Sequence, residues 1–323
     1  MLLLRMMMFS RSMSSLSLAI SAGLLIGSEA PISSSLQNIL KNTHGSPAYE
    51  YPTDLTKGIM PIPVHSHNDY WRDLPFYTAL SKGCISTEAD VWLINGTLYV
   101  GHDKSSLTEE RTLESLYINP ILDVLNRQNP MTRFVTSKTK NGVWDVDPEQ
   151  TLYLFIDAKT SGPDTFQAVI SALAPLREQG YLTTLKDNKT IINGPVTVIG
   201  TGNTPLSMVG PVANRDYFFD GPLESLGEPQ YADITSLISP IASTDFAAVF
   251  GTLSSDADPV FSTDELSMLR QQIATAKSRG IGGRYWGTPY YPIRKRNEVW
   301  RTLLREGVAL LNADDLDAVS QYF

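Results

Sequence analysis

Sulfur, imidazole and positive charge are all scarce in this chain. One cysteine in 323 residues, Cys84, excludes an internal disulfide and any cysteine-built metal cluster, and says little about redox compartment. Lysine and arginine number 26 against 34 acidic residues, a formal charge of −8. That balance excludes the broad basic face of a general nucleic-acid binder and leaves room only for a local basic patch. The apolar run at 16–26 falls short of the ~20 residues that a bilayer-spanning helix needs. No internal repeat is visible. With only four histidines in the whole chain, where they sit carries information.

What is present describes an ordinary globular protein, 42% hydrophobic and 19% charged, long enough to bury a sizeable core. Residues 1–30 read as a signal peptide or other targeting segment: Arg5 and Arg11, then the apolar run, then small residues near Ser28 and Ala30. The lack of any acid before Glu29 and the many serines also fit a mitochondrial presequence. Two acceptor triplets, Asn95-Gly96-Thr97 and Asn188-Lys189-Thr190, lean toward the secretory route and a glycoprotein, with mitochondria the alternative. Residues 31–58 read as a leader or linker, and 59–323 as one domain.

Within that domain short apolar runs alternate with helical patterns. Strands are expected at 59–64, 85–93, 152–157, 196–200, 217–219 (weakly), 235–241, 282–286 and 308–312. Helices are expected at 75–82, 113–127, 165–179, 263–279 and 294–306, the fourth opened by the capping sequence Ser262-Thr263-Asp264-Glu265. Eight strands with interleaved helices predict an α/β fold of the TIM (β/α)8 barrel type, with a doubly wound sheet as competitor. Asn95-Gly96 between apolar runs predicts a hairpin that returns the chain toward the second strand and delivers His102 there.

Active sites of such barrels form at the carboxyl ends of the strands. Read there, the first strand ends at His65 and His67, the second carries Glu88 and Asp90, and the third ends in Asp157 and Lys159. Residues two apart on a strand face the same way, so the three carboxylates can converge. Crowded carboxylates repel unless one is protonated or a cation sits among them, and an all-oxygen donor set suits Mg²⁺ or Ca²⁺ better than zinc. The histidines then stay free for proton transfer and Lys159 for a bound anion. Singly, each feature has a plainer reading: Glu-x-Asp as solvated surface, His44 as a surface residue, Asp157 as a helix cap. Their order and strand positions together point to hydrolysis or transfer at a phosphodiester.

The blocks HSHNDYW, EADVW, GHD and LFIDAK, with the tail GRYWGTPYYPIRKRNEVWRTLLREGVALLNADDL, resemble the fungal altered inheritance of mitochondria protein 6 family across residues 59–318. That family belongs to the phospholipase-C-like phosphodiesterase barrels, with glycerophosphodiester phosphodiesterases and spider sphingomyelinase D. The resemblance implies Glu88, Asp90 and Asp157 as metal ligands, His102 as the second catalytic histidine, and Lys159 as the lysine after the third ligand. For the first catalytic histidine it offers His65, which directly follows the strand and is preferred, or His67, whose spacing to Glu88 is closer. The chain lacks the His-Arg-Gly and Glu-Asn motifs of glycerophosphodiesterases, and its third ligand is Asp157, as in the spider enzymes. The substrate is therefore not carried over from either.

The expected activity is metal-dependent phosphodiester hydrolysis of a phospholipid or glycerophosphodiester, in lipid metabolism, with peripheral membrane contact and no nucleic acid. The alternatives are another metallohydrolase or a catalytically silent phosphate-binding barrel. The excursion 104–151 carries Arg127, Arg133, Lys138 and Lys140 with Phe134 and Trp144, and is expected to form a rim or lid beside the site.

Overall fold

The computed structural model describes residues 33–43, 45–51, 53–251, 253 and 259–323; the targeting segment and His44 lie outside them. The chain divides into two units after Tyr51. The first contributes a helix, Ser34–Thr43, none of whose residues is buried. The second begins ahead of the expected start at Ile59. Thr56 is fully buried, donates to the Val143 carbonyl (2.8 Å) and accepts from Gln128 Nε2 (2.9 Å).

The strands, in chain order, are β1 (Ile62–Ser66), β2 (Cys84–Ile94), β3 (Thr97–Val100), β4 (Leu152–Ala158), the small hairpin β5 (Thr184–Lys186) and β6 (Thr190–Ile192), β7 (Val196–Gly202), β8 (Phe218–Phe219), β9 (Gly221–Pro222), β10 (Ile241–Asp245), β11 (Gly282–Trp286) and β12 (Leu310–Ala313). Nine of them run in parallel in the order β8-β7-β4-β2-β1-β12-β11-β10-β9. This is a nearly closed α/β barrel. β8 and β9 are two dipeptides separated by Asp220, one paired with β7 and the other with β10, so together they fill the fifth position. The weak fifth strand is therefore split rather than absent.

Most strands begin near where the apolar pattern starts, but two are displaced. β1 runs to Ser66 rather than stopping at Val64, which keeps His65 inside the strand. The sixth strand was expected at 235–241 and lies at Ile241–Asp245. Pro240, lacking an N–H, cannot join a ladder, and residues before it turn instead, with the Ile238 and Ser239 amides both bonded to the Thr235 carbonyl.

The helix expected at 113–127 opens as a π turn, Glu114–Ile118, and continues as Asn119–Gln128. That at 165–179 starts earlier, with Pro163 in the first turn of Gly162–Ala172, and breaks before a second helix, Ala174–Glu178, that carries Pro175. Thr263–Ser278 opens on a complete capping box, with Ser262 accepting from the Glu265 amide and Glu265 from the Ser262 amide. The Asn95-Gly96 turn has both residues at positive φ (50° and 84°) and joins β2 to the antiparallel β3. Asn95 and Asn188, the asparagines of the two acceptor triplets, are exposed on such turns.

The excursion after β3 starts at the carboxyl ends of the strands, where Arg111 bonds the Tyr70 carbonyl, but its basic stretch does not stay there. Its helix carries the chain back, so residues 129–151 sit at the amino ends and feed into β4 at Leu152. Lys138 bonds Gln179 and stacks on Tyr181, and the Tyr181 carbonyl accepts from the Val196 amide at the start of β7. Trp144 is fully buried. The expected basic lid is thus a brace at the opposite face; the intervening helix reverses the direction on which the expectation depended.

Candidate active site

Register places the acidic residues together. In the β2–β4 ladder Glu88 is opposite Phe155 and Asp90 opposite Asp157, so two of the three carboxylates occupy partnered positions on adjacent parallel strands. Such strands lie ~4.8 Å apart, and the longer Glu88 side chain reaches up from one pleat below. One oxygen from each of Glu88, Asp90 and Asp157 lies within 4.8 Å of the others. Lys159 Nζ bridges Asp157 Oδ2 (2.8 Å) and Asp90 Oδ2 (3.0 Å).

The site is stratified into a buried layer and a mouth. In the buried layer His65 is wholly enclosed, with Nδ1 2.7 Å from Ser86 Oγ and Nε2 3.1 Å from Arg284 Nη2, and it packs edge-on against Phe155. Burial and the Arg284 charge pull its imidazole down to about 3, so it is neutral near pH 7. Arg284 extends inward from β11 to Asn312 Oδ1 and Ser243 Oγ (both 3.1 Å), with Asp220 Oδ2 at 3.8 Å and Glu88 Oε1 at 3.9 Å.

At the mouth stand His67 and His102. His67 Nδ1 is 2.9 Å from Asp314 Oδ1, and its Nε2 is 3.9 Å from Glu88 Oε2. His102, half exposed, has Nδ1 3.0 Å from Tyr70 Oη and 3.6 Å from Asp90 Oδ2. Tyr70 Oη also lies 2.8 Å from Asp90 Oδ2. A phenol has one proton to give; when Tyr70 gives it to Asp90, His102 Nδ1–H donates to the phenol oxygen and Nε2 is left free.

The loop after β1 is built to hold this geometry. Asn68 adopts the left-handed conformation (φ 49°), tolerated by Asn, and aims its backbone N–H at Glu88 Oε2 (3.0 Å). Asp69, buried, accepts from Ser66 Oγ, the Phe76 amide and Tyr117 Oη, which ties the loop down.

The site holds more carboxyl groups than cations. The carboxylates Glu88, Asp90, Asp157 and Asp220 face the cations Lys159 and Arg284. Burial pushes Asp90 up to about 7, reinforced by Glu88 and opposed by Lys159; burial also raises Asp157. Burial would raise Glu88 too, but the flanking imidazoles and Arg284 outweigh it and keep the carboxylate ionised.

The residues fit a divalent cation. Ionised together, the four carboxylates would outnumber the two cations by two charges, the charge of one divalent ion; burial and this crowding push Asp90 and Asp220 up to about 7. Asp157 Oδ1 is buried and has no hydrogen-bond partner among the described residues, and a Cβ on Gly202 would lie 1.9 Å from it, so the missing side chain there leaves room for that oxygen. The donor set is all oxygen, as Mg²⁺ and Ca²⁺ prefer.

The structure thus groups Glu88, Asp90, Asp157, Lys159, His67 and His102 around one opening, and places His65 beneath it, enclosed. The His-x-His pair is not available as joint ligands of a multi-metal centre, because both His65 ring nitrogens are engaged. Tyr70, Asp314, Arg284 and Asp220 were not picked out by sequence. Arg284 had a signal: a charge in mid-strand, in Gly-Arg-Tyr-Trp, between residues that must be buried.

Compared with known proteins, residues 53–220 match the family model described as AIM6-like phosphodiesterase domain. The altered inheritance of mitochondria protein 6 homolog of Arthroderma benhamiae is 55% identical over 316 residues, covering 95% of this chain and 99% of the relative. Altered inheritance of mitochondria protein 6 of Lachancea thermotolerans is 36% identical over 295 residues, covering 82% and 67%. Among solved structures, a glycerophosphodiester phosphodiesterase from Parabacteroides distasonis covers 82% of this chain and 99% of its own at 12% identity, with a TM-score of 0.42, too distant to carry an argument. All three carboxylates, Lys159 and the site histidines fall within the matched 53–220, whereas Arg284 and Asp314 fall outside it.

Proposed function

The chain belongs to the altered inheritance of mitochondria protein 6 family and carries its phosphodiesterase-like domain, and on that premise we propose that it is a phosphoric diester hydrolase, dependent on Mg²⁺ or Ca²⁺, acting on a phospholipid or glycerophosphodiester. The observation that carries this reading is the convergence of the Glu88, Asp90 and Asp157 oxygens within 4.8 Å, with Asp157 Oδ1 buried and unpartnered. Glu88, Asp90 and Asp157 would hold the cation, which when bound supplies positive charge to the phosphoryl oxygens.

The remaining chemistry falls to the chain's own groups. Lys159, 26% exposed, is raised by Asp157 and Asp90 more than burial lowers it, so it stays a cation beside the phosphoryl group. His67 and His102 each have Nδ1 engaged and Nε2 left to exchange a proton. One Nε2 takes a proton from the nucleophile, water or a neighbouring substrate hydroxyl; the other gives one to the leaving oxygen. Asp314 holds His67 in orientation, and Tyr70 does the same for His102. His65 does not exchange protons with substrate in this reading; it supports Arg284 from below.

A lipid substrate suits the surroundings. The loops at the carboxyl ends of β1 and β11 expose Trp71, Leu74, Trp286, Tyr290 and Tyr291. Trp and Tyr settle readily at headgroup depth, which supports peripheral membrane contact. No described helix is long and apolar enough to cross a membrane. The relatives' names are compatible with a mitochondrial role.

The experiment is ³¹P NMR of glycerophosphocholine, lysophosphatidylcholine and sphingomyelin incubated with the protein, with and without EDTA. Cation-dependent conversion of at least one to a phosphomonoester or cyclic phosphate is expected; no conversion under any condition would leave a binding barrel.

A further inference from the structure

On the outer side of the barrel wall, away from the carboxylates, lies a cleft of about 490 Å³. Its walls come from the helices Gly162–Ala172, Ala174–Glu178 and Leu206–Val209, strand β5 of the small hairpin and the strand approach 212–217. It does not belong to the site described above: none of Glu88, Asp90, Asp157, His67, His102 or Lys159 lines it. Its volume is within the ~300–1,000 Å³ of small-molecule sites.

Two properties of the lining specify a ligand class. The walls are largely apolar, with Phe166, Ile170, Leu185, Met208, Val209 and Val212 contributing. The charged lining residues are Arg177, Lys186, Arg215 and Asp216, three cations and one anion. Arg177 takes Asp216 in a two-pronged pair (2.5 and 3.0 Å), which cancels both. Among the described residues Arg215 has no carboxylate partner. Its Nη1 and Nη2 donate to the Val212 and Leu237 carbonyls, and its Nε is buried with no acceptor at all. A net positive lining on a chain of formal charge −8 is a local reversal of sign.

The walls are also preformed. The Leu185 amide bonds the Arg215 carbonyl and the reverse, and the Asp187 amide bonds Asn214 Oδ1. A hairpin so tied cannot collapse into the cleft without breaking those bonds. At the rear, Tyr217 is buried against Gly200 of β7, where a Cβ would lie 2.2 Å from its hydroxyl.

We propose that this cleft binds a single-chain amphiphile with an anionic head group, its alkyl tail along Ile170, Met208 and Val209 and its head toward Arg215 and Lys186. An apolar wall alone would take any hydrocarbon. A guanidinium with no carboxylate beside it, together with Lys186, selects for an anion at one end. The inference stands apart from the catalytic reading, since no residue is shared.

Calorimetric titration of the full-length protein tests it, using dodecanoate below its micelle concentration, dodecylammonium for the same tail with opposite charge, and acetate for the head alone. Dodecanoate is expected to bind at one site, dodecylammonium at least ~10-fold more weakly and acetate undetectably, since each buried methylene is worth about fourfold in affinity. Val212→Trp, at an exposed wall position, fills the cleft and is expected to weaken dodecanoate at least ~10-fold; Lys186→Glu, on the surface, is expected to weaken it several-fold. Both keep the framework bonds, so unchanged melting accompanies the loss. Glu88→Gln is expected to bind dodecanoate like the wild type. No dodecanoate binding, equal binding of dodecylammonium, indifference to Val212→Trp, or loss in Glu88→Gln would each overturn the proposal.

Discussion

His67 Nδ1 meets Asp314 Oδ1 at 2.9 Å, joining the loop after β1 to the end of β12. Two residues earlier, His65 is held at Nδ1 by Ser86 and at Nε2 by Arg284. Only the first arrangement leaves a ring nitrogen free at the mouth of the barrel. The two imidazoles, near-identical in sequence context, thus differ: one keeps a ring nitrogen open at the mouth and the other has both ring nitrogens engaged.

Substitution distinguishes them. His67→Gln and His102→Gln are each expected to lower kcat by ~10²–10⁴-fold, as for general acid–base groups, with little change in melting temperature because both side chains are at least partly exposed. His65→Gln leaves the Arg284 and Ser86 contacts unmade and is expected to cost ~1–3 kcal/mol of stability. Parallel kinetic and thermal measurements check this; full turnover in His67→Gln would remove it from the mechanism.

Gly202 offers a test that replaces no charged residue. Its φ of +63° and the 1.9 Å approach of an added Cβ to Asp157 Oδ1 mean that alanine both strains the backbone and displaces that carboxylate oxygen. The strain alone is ~1–2 kcal/mol. Gly202→Ala is expected to stay folded yet lose most of the cation-induced rise in melting temperature, and a full rise would show that Asp157 Oδ1 is not a ligand.

Asp220, between β8 and β9 with its side chain almost covered, is pushed up to about 7 by burial, against a usual value of 3.8. Its folded pKa exceeds its unfolded one, so the folded state binds more protons over that interval and stability falls as pH rises from about 4 to about 7. Moving that carboxyl from 3.8 to about 7 corresponds to at most about 4 kcal/mol. Asp220→Asn removes this contribution, so in EDTA the variant's stability relative to wild type is expected to rise across that window. Parallel pH profiles for the two proteins would contradict the assignment.

The strand carboxylates were legible because a period of two and a barrel topology suffice to bring Glu88, Asp90 and Asp157 together; β2 and β4 formed where their apolar runs predicted. The two histidines were not separable, because the answer depended on where β1 ends. Two residues of strand beyond Val64 move His65 into the interior and His67 to the rim. Tyr70 and Asp314 stayed hidden for another reason: their roles come from packing across loops 20 and 247 residues apart in sequence from Asp90 and His67. The basic excursion was misplaced because a helix reverses the chain before it, and charge composition carries no information about which end of a barrel a loop reaches.

The central claim, that Glu88, Asp90 and Asp157 share a cation required for phosphodiester hydrolysis, is tested most directly by one titration read in two ways. EDTA-stripped protein is titrated with Mg²⁺ and with Ca²⁺ while melting temperature and phosphodiester turnover are followed in the same samples. At about 100-fold above its dissociation constant the cation stabilises by ~2.7 kcal/mol, a shift easily resolved. Melting temperature and turnover are predicted to rise with one midpoint for at least one cation, and both to be abolished in Asp157→Asn. Turnover that survives EDTA, or cation stabilisation that survives Asp157→Asn, would contradict the claim.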